Sequence, residues 1–334
     1  MSARLFPSLL RIIFWGTVIQ FLGCSKPLPP ILSPGQAETK LHSIAKKEYN
    51  LNVVTRTVGK SLWIYLPMEE PFYDIKASPQ GPQNSTQKSK LLSIKYIDAQ
   101  FRDNNFYIDY DIAPEERYVQ DLGYASTVTQ EFYTKQRNVV TAIYRAYGDF
   151  EKVANEEGHL RRVAGDVDFK GFDVNNKHKE LVHAYVPTEQ APDFFVLVLA
   201  DVKKGIEARM FFYLGDLLRA YSDPTFYEEY SKRMVVENPT GSEQIIGDYD
   251  GHHLDYHEVS WGELLAKQII YRVRFKYQRS DFKPSEDTLN ELLPIIGETF
   301  KTYGFGSYGN IQMHNLGNDQ TIAVEKTDPR LMAQ

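Results

Sequence analysis

The hydrophobic residues of the chain recur with two different spacings, which predict a mixture of helices and strands. Apolar positions three and four apart in residues 37–49 and 127–147 predict amphipathic helices. Alternation in residues 106–112 predicts a half-buried strand, and the β-branched-rich apolar run 193–200 predicts a strand buried on both faces. Because helical and strand segments do not alternate regularly, the pattern predicts an α+β fold with antiparallel hairpins and sheets packed against several amphipathic helices.

Turn and capping signals place the remaining elements. Hairpins are predicted for residues 51–57 with 61–66, 91–101 with 106–112, 193–200 with 206–214, and 311–315 with 321–325. Further helices are predicted for residues 223–235, 261–278 and 285–303, the first capped by Asp223 and the second by a Ser260–Glu263 capping box. Residues 77–90 are polar and contain proline and glycine, which predicts a mobile loop.

A tyrosine ends three of the predicted helices, at Tyr49, Tyr147 and Tyr303. The first and the last of these helices precede a predicted hairpin, so the chain carries either a diverged α-β-β repeat or ordinary packing of tyrosine beside a turn. No fixed period accompanies the pattern, which favours ordinary packing.

The beginning of the chain has the charge and hydropathy of a secretory signal. Arg4 and Arg11 precede the apolar run 12–22, which is followed by the only cysteine of the chain, Cys24. The run has the length expected of a signal peptide and is shorter than the roughly 20 apolar residues of a spanning helix. A chain with a single cysteine forms no internal disulfide. Residues 1–23 are therefore predicted to be a signal peptide.

Phe21-Leu22-Gly23-Cys24 resembles the lipobox of bacterial lipoproteins, in which the cysteine is diacylated before the signal is cleaved. This resemblance implies a lipid anchor on Cys24, and Ser25 in place of aspartate implies sorting to the outer membrane, facing the periplasm. An ordinary signal peptide or an inserted N-terminal helix with an incidental cysteine is the alternative. The proline-rich residues 24–36 are predicted to be an extended spacer between the membrane and the folded body.

The charge of the chain limits its partners. The net charge is −6, and removing residues 1–23 leaves 36 basic against 44 acidic residues, a net charge of −8. Such an acidic body argues against nucleic acid as a partner and against electrostatic binding to anionic lipid. The body is predicted to comprise an N-terminal α+β region, residues 37–125, and a C-terminal α+β region, residues 126–334, or one continuous domain.

The strongest candidate for chemistry is the polar segment 248–258, which contains three histidines. If it is extended, His253, Asp255 and His257 share one face, and two imidazoles with a carboxylate suit zinc or another divalent metal. Asp248, Asp250 or Glu258 is then a candidate fourth ligand or general base. The competing interpretation is that these polar residues serve solvation and turn bonding.

Other catalytic motifs are missing from the sequence. There is no glycine-rich phosphate loop and no G-x-S-x-G elbow. We therefore expect a non-enzymatic, membrane-anchored envelope lipoprotein that works as a binding or assembly component without a cofactor. Its expected partners are the membrane, through the lipid on Cys24, and envelope proteins or glycans. The alternative is a metal-dependent hydrolase that acts on envelope material.

Overall fold

The computed structural model describes residues 33–77, 84–120, 124–151, 159–161, 168–170, 181–184, 192–222, 226–237, 239–278 and 287–332. The predictions for the signal peptide, for Cys24 and for the Asp223 cap lie outside these residues. Residues Ser33–Gln334 belong to one compact unit.

Both helices and strands are present, and most strand pairs are antiparallel, which confirms the predicted α+β class. The α-helices of the described residues are α1 (Pro34–Tyr49), α2 (Gln130–Tyr147), α3 (Leu214–Ser222), α4 (Tyr227–Arg233), α5 (Trp261–Gln278) and α6 (Thr288–Thr302). The strands are β1 (Val54–Val58), β2 (Ser61–Met68), β3 (Tyr73–Ala77), β4 (Asn84–Arg102), β5 (Asn105–Gln120), β6 (Tyr124–Val128), β7 (Gly148–Glu151), β8 (His159–Arg161), β9 (Asp168–Lys170), β10 (Leu181–Ala184), β11 (Phe194–Asp201), β12 (Ile206–Tyr213), β13 (Val235–Val236), β14 (Thr240–Gly241), β15 (Ile311–Asn315) and β16 (Gln320–Val324). Short 3₁₀ helices cover Glu243–Ile245 and Pro329–Leu331.

The main sheet has the strand order β1-β2-β11-β12-β13, with β14 also pairing with β12. Strands β2 and β11 run parallel, and the other neighbours are antiparallel. Every residue of β11 is buried, as the apolar run predicted, because both faces of the sheet are covered. One face packs against the helical side, where Phe195 meets Tyr147 of α2 with ring centroids 5.1 Å apart. The other face packs against the segment that precedes α5.

The second sheet has the order β16-β15-β5-β4, with β15 and β5 parallel. Its core face packs against α5 and α6, through residues such as Phe106, Ile269 and Leu293. Helix α5 also reaches the core of the main sheet through Leu264. It therefore connects the two sheets, whose strands come from both sides of the predicted boundary at residue 125.

Local differences from the predicted elements have physical causes. Helix α1 begins at Pro34, inside the predicted spacer, because Ser33 and Gln36 form a capping box and proline suits the first helical turn. Residues 84–90 belong to β4, where pairing with β5 overrides their polar composition. Leu214, predicted to end a strand, instead begins α3. Among the described residues, no helix combines the length and apolar character needed to cross a membrane.

Candidate functional site

The polar segment singled out by its histidines forms a loop, residues 247–260, that lies over the main sheet before α5. Residues 252–254 form a turn, and residues 255–260 have no regular secondary structure. The loop carries Leu254 and Val259 into the apolar core above the sheet. Its apolar residues are thus part of the core, while its polar residues face the sheet edge and solvent.

Three alternate residues of β2 hold this loop. The Ser61 hydroxyl oxygen accepts a hydrogen bond from the Val259 N–H at 2.7 Å, and Trp63 Nε1 donates to the His257 carbonyl at 2.8 Å. The Tyr65 hydroxyl donates to the Asp248 carbonyl at 2.6 Å. Residues two apart in a strand point to the same face, so one face of β2 binds the loop along its length.

His253 lies between two carboxylates at the centre of this attachment. Its Nδ1 is 2.6 Å from Asp248 Oδ2, and its Nε2 is 2.8 Å from Glu207 Oε2 of β12. Glu207 is buried and the other two side chains are mostly buried, with exposed fractions of 8% for His253, 12% for Asp248 and 4% for Glu207. Each ring nitrogen of His253 therefore faces a carboxylate oxygen, which accepts hydrogen bonds when it is ionised.

Arg209 and the loop backbone also bond the carboxylates around His253. Arg209 donates through Nε to the second oxygen of Glu207 at 2.6 Å. Burial alone would raise the pKa of the Asp248 carboxyl, but hydrogen bonds from His253 and from the Asp250 N–H hold that pKa far below its usual range. Burial and the neighbouring carboxylates raise the pKa of Tyr65. The cluster is therefore a hydrogen-bonded network that joins Asp248 and His253 of the loop to Glu207 and Arg209 of β12.

His257 has a different environment from His253. Its ring packs edge-on against Trp63, with centroids 5.3 Å apart, and its Nε2 lies 3.1 Å from the Glu263 carboxylate. Burial alone would lower the pKa of His257, but the Asp255 carbonyl and the Glu263 carboxylate raise it. The Glu263 N–H donates to the Ser260 hydroxyl oxygen as predicted, whereas the Glu263 side chain turns to His257 instead of completing the capping box.

The predicted metal ligands are engaged separately. His253 contacts Glu207 and Asp248, while His257 contacts Glu263, and Asp255 is exposed. Among the described residues, no group of three metal-binding side chains is arranged so that it could hold a metal ion. The metal site at His253, Asp255 and His257 stays a prediction.

The candidate supporting acids are engaged too. Glu258 accepts a hydrogen bond from the Lys60 N–H at 2.8 Å, so it joins the loop to the β1–β2 turn. Asp250 donates its N–H to the Asp248 carboxylate at 3.0 Å, and Gly251 does the same at 2.8 Å. Asp248 therefore organises the turn that presents His253.

An open groove of about 680 Å³ runs beside the cluster. His252, whose side chain is 75% exposed, and His253 line it together with Asp248 and Asp250. Ile246 and Tyr249 stand exposed beside them. The groove is shallow and polar, and its floor is formed by side chains that already bond one another.

Sequence reasoning found the loop but missed its partners. Glu207, Arg209 and Tyr65 lie 46, 44 and 188 residues before His253 in the chain, and only the fold brings them together. The sequence does carry one signal for Glu207, because it is the only acidic residue in the mostly apolar strand β12. Such an acid needs a partner, since charged groups are rarely buried unpaired.

The sequence matches no protein-family model, and comparisons with curated proteins and with solved structures also give no match. Support for a function therefore comes from the sequence pattern and from the geometry of the described residues.

Proposed function

We propose that the protein is a lipid-anchored component of the bacterial cell envelope, attached through Cys24, whose folded body serves binding or assembly on the periplasmic side of the outer membrane. The anchor is supported by residues 1–24, with their two arginines, apolar run and single cysteine. Two acyl chains give stable attachment without a spanning helix.

The observation that carries the non-catalytic role is the bonding of His253. Both ring nitrogens are taken by Asp248 and Glu207, at 2.6 and 2.8 Å, and the side chain is 8% exposed. A general base needs a nitrogen within reach of a substrate proton, and a metal ligand needs a free lone pair. Bonding on both sides supports a role in which the imidazole fixes the 247–260 loop to the main sheet.

The anchor is tested in a double-membraned bacterial host by replacing the acceptor cysteine. Cys24→Ser should abolish labelling with radioactive fatty acid and leave the precursor uncleaved by the lipoprotein signal peptidase. Ser25→Ala, one residue away, is the matched control and should be labelled and processed. Normal processing of Cys24→Ser would contradict the anchor and indicate an ordinary secreted protein.

A metal-dependent hydrolase is the second candidate, and the groove beside His252 and His253 is the observation that favours it. Elemental analysis of the purified protein distinguishes the two functions. Stoichiometric zinc that disappears in a His253→Ala/His257→Ala variant would support the hydrolase. Metal-free protein whose unfolding midpoint is unchanged by a chelator would support the binding role.

A further inference from the structure

A continuous depression lies between α5, α6 and the C-terminal 3₁₀ turn, and it shares no lining residue with the groove beside the histidine loop. It consists of two recesses of about 920 and 360 Å³ that share Lys276, Ile295 and Glu298. We call it the α5–α6 groove. Both volumes lie in the range of pockets that bind small organic molecules, about 300–1,000 Å³.

The floor of the groove is apolar. Phe300, Tyr308 and Leu331 line the larger recess and are themselves buried. Met332 borders the same recess with 74% of its surface exposed, and Phe275 borders the smaller one with 53% exposed. Large apolar side chains left exposed at the edge of a concave apolar surface are typical of ligand sites.

The rim of the groove is positively charged. The lining side chains include five cations, Lys232, Arg272, Lys276, Lys301 and Lys326. They face a single lining carboxylate, that of Glu298. Glu291 and Glu229 pair with Lys276 and Lys232 from outside the lining, which leaves five cations against three carboxylates. In a chain with a net charge of −6, this local excess of positive charge favours an anionic ligand.

Two of these cations have unused hydrogen-bonding capacity. Within the described part of the chain, the ammonium group of Lys301 has no ion-pair or hydrogen-bond partner, and Lys301 is exposed. Arg272 is 9% exposed, and its Nε and Nη2 atoms have no hydrogen-bond partner among the described residues. Its nearest carboxylates, Glu298 and Glu229, lie at 3.7 and 3.9 Å, beyond hydrogen-bonding distance.

The other rim cations are paired or held in place, and Lys232 lies 3.9 Å from the Glu229 carboxylate. Lys276 bonds Glu291 at 2.5 Å, and Lys326 donates to the Gly306 carbonyl at 2.6 Å while its ammonium lies over the Tyr308 ring. Lys326 is thereby fixed beside the apolar floor. Among the described residues, the groove thus combines the held ammonium group of Lys326 with that of Lys301, which has no partner, at the end of α6.

We propose that the α5–α6 groove binds a single-chain anionic amphiphile, in which a carboxylate or phosphate pairs with Lys301 and the apolar chain lies over Phe300 and Tyr308. This gives a ligand class to the proposed binding role, and it holds whether or not Cys24 is acylated. The apolar floor supplies affinity, and the cationic rim selects an acidic headgroup over a neutral one.

The inference is tested by calorimetry on the mature chain, residues 24–334, carrying Cys24→Ser so that no attached acyl chain competes. The probes are decanoate and 1-decanol, which share a chain and differ in headgroup charge. We expect decanoate to bind at least tenfold more tightly than 1-decanol, and inorganic phosphate alone to bind too weakly to detect.

Matched lysine variants locate the binding. Lys301→Gln should weaken decanoate binding about tenfold, which corresponds to about 1.4 kcal/mol. Lys47→Gln is the control, because Lys47 is also an exposed lysine in the last turn of a helix and does not line the groove. Both variants lose the same interaction with a helix C-terminus, so their folding stability should change alike.

Three results would each overturn the inference. They are no decanoate binding, equal binding of decanoate and 1-decanol, and equal effects of Lys301→Gln and Lys47→Gln. Anionic phospholipid vesicles provide the remaining arm. Adsorption to them without decanoate binding would assign the positive charge to a membrane surface instead of a single-chain ligand. Because the tested chain lacks the acyl anchor, failure here leaves the Cys24 labelling result unaffected.

Discussion

Replacing His253 tests whether the contacts of its side chain hold the 247–260 loop on the main sheet. His253→Ala deletes the two contacts to Asp248 and Glu207 and the edge-on packing against Tyr65, whose ring centroid is 5.7 Å away. Hydrogen bonds to charged groups contribute about 1.5–3 kcal/mol each, and removing one partner of a buried pair costs about 3–5 kcal/mol.

The two carboxylates keep other donors, which reduces the expected loss. Glu207 still accepts from Arg209, and Asp248 still accepts the N–H groups of Asp250 and Gly251. The loss of stability in His253→Ala is therefore expected at the low end of the range for a buried pair that loses one partner. We expect His253→Ala to lower the free energy of unfolding by about 3 kcal/mol.

The neighbouring histidine provides a matched control. His252 is 75% exposed, and its closest carboxylate oxygen, on Asp248, is 3.8 Å away. His252→Ala should therefore change the free energy of unfolding by less than about 0.5 kcal/mol. Urea unfolding of both variants measures the difference, with the slope against urea expected to stay constant.

A double-mutant cycle and hydrogen exchange assign the loss to the loop. His253→Ala combined with Glu207→Gln should show a coupling free energy of about 1–3 kcal/mol, because the two side chains are in contact. The Val259 N–H, which bonds Ser61 in the wild type, should exchange faster in His253→Ala. Equal stabilities of His253→Ala and His252→Ala would refute the structural role of His253.

Two further predictions concern the same loop. Tyr65→Phe removes only the hydroxyl that donates to the Asp248 carbonyl, so urea titration should show a free energy of unfolding lower by about 1 kcal/mol. An unchanged unfolding midpoint would mean that water replaces this hydrogen bond. His257→Gln should flatten the dependence of stability on pH. Burial alone would lower the pKa of His257, but Asp255 and Glu263 raise it above the ordinary histidine value of about 6.5. A histidine with a raised folded pKa stabilises the fold below about pH 6.5 and loses that contribution as pH rises through the folded value. If the unfolding midpoints of wild type and variant changed with pH in parallel, the pairing of His257 with Glu263 would be contradicted.

Much of the fold is encoded in local patterns that the sequence displays. The β11–β12 hairpin follows from an apolar run beside a charged turn, and α2 follows from helical spacing that ends at Tyr147. The Ser260 cap was predicted correctly, because the hydroxyl-to-N–H bond depends on residues three apart. Each of these features is decided within about 20 residues of chain.

Pairing between distant strands has no such local signature. Strands β2 and β11 are parallel neighbours although Ser61 and its partner Phe194 are far apart in sequence, and β5 and β15 are joined in the same way. In β2 both faces carry large apolar residues, so composition does not indicate that Trp63 and Tyr65 would bind a loop while Ile64 faces the other side. Only the position of α5 and its preceding loop distinguishes the two faces.

The candidate site was located by its three histidines. The prediction that His253, Asp255 and His257 share one face required the segment to be extended. The turn at residues 252–254 removes that geometry, because Asp248 accepts three backbone N–H groups and reverses the chain. His253 then points to Glu207, a residue that no local pattern connects to it. The histidine cluster therefore indicated where polar contacts are concentrated. The partners of those contacts, such as Glu207, depend on the fold.

The proposed anchor lowers the ligand affinity that the α5–α6 groove needs, so the two proposals are compatible. An acidic body is repelled by an anionic membrane surface, so the attachment that we propose would depend on acyl chains at Cys24. Tethering by a short linker raises the local concentration of membrane-derived ligands to the millimolar range. A groove with a dissociation constant of about 1 mM, or about 4 kcal/mol of binding free energy, is then substantially occupied. The proposed contacts, the Lys301 ammonium group above an apolar floor, therefore have to supply only about 4 kcal/mol, whereas a protein released into solution would need a tighter site.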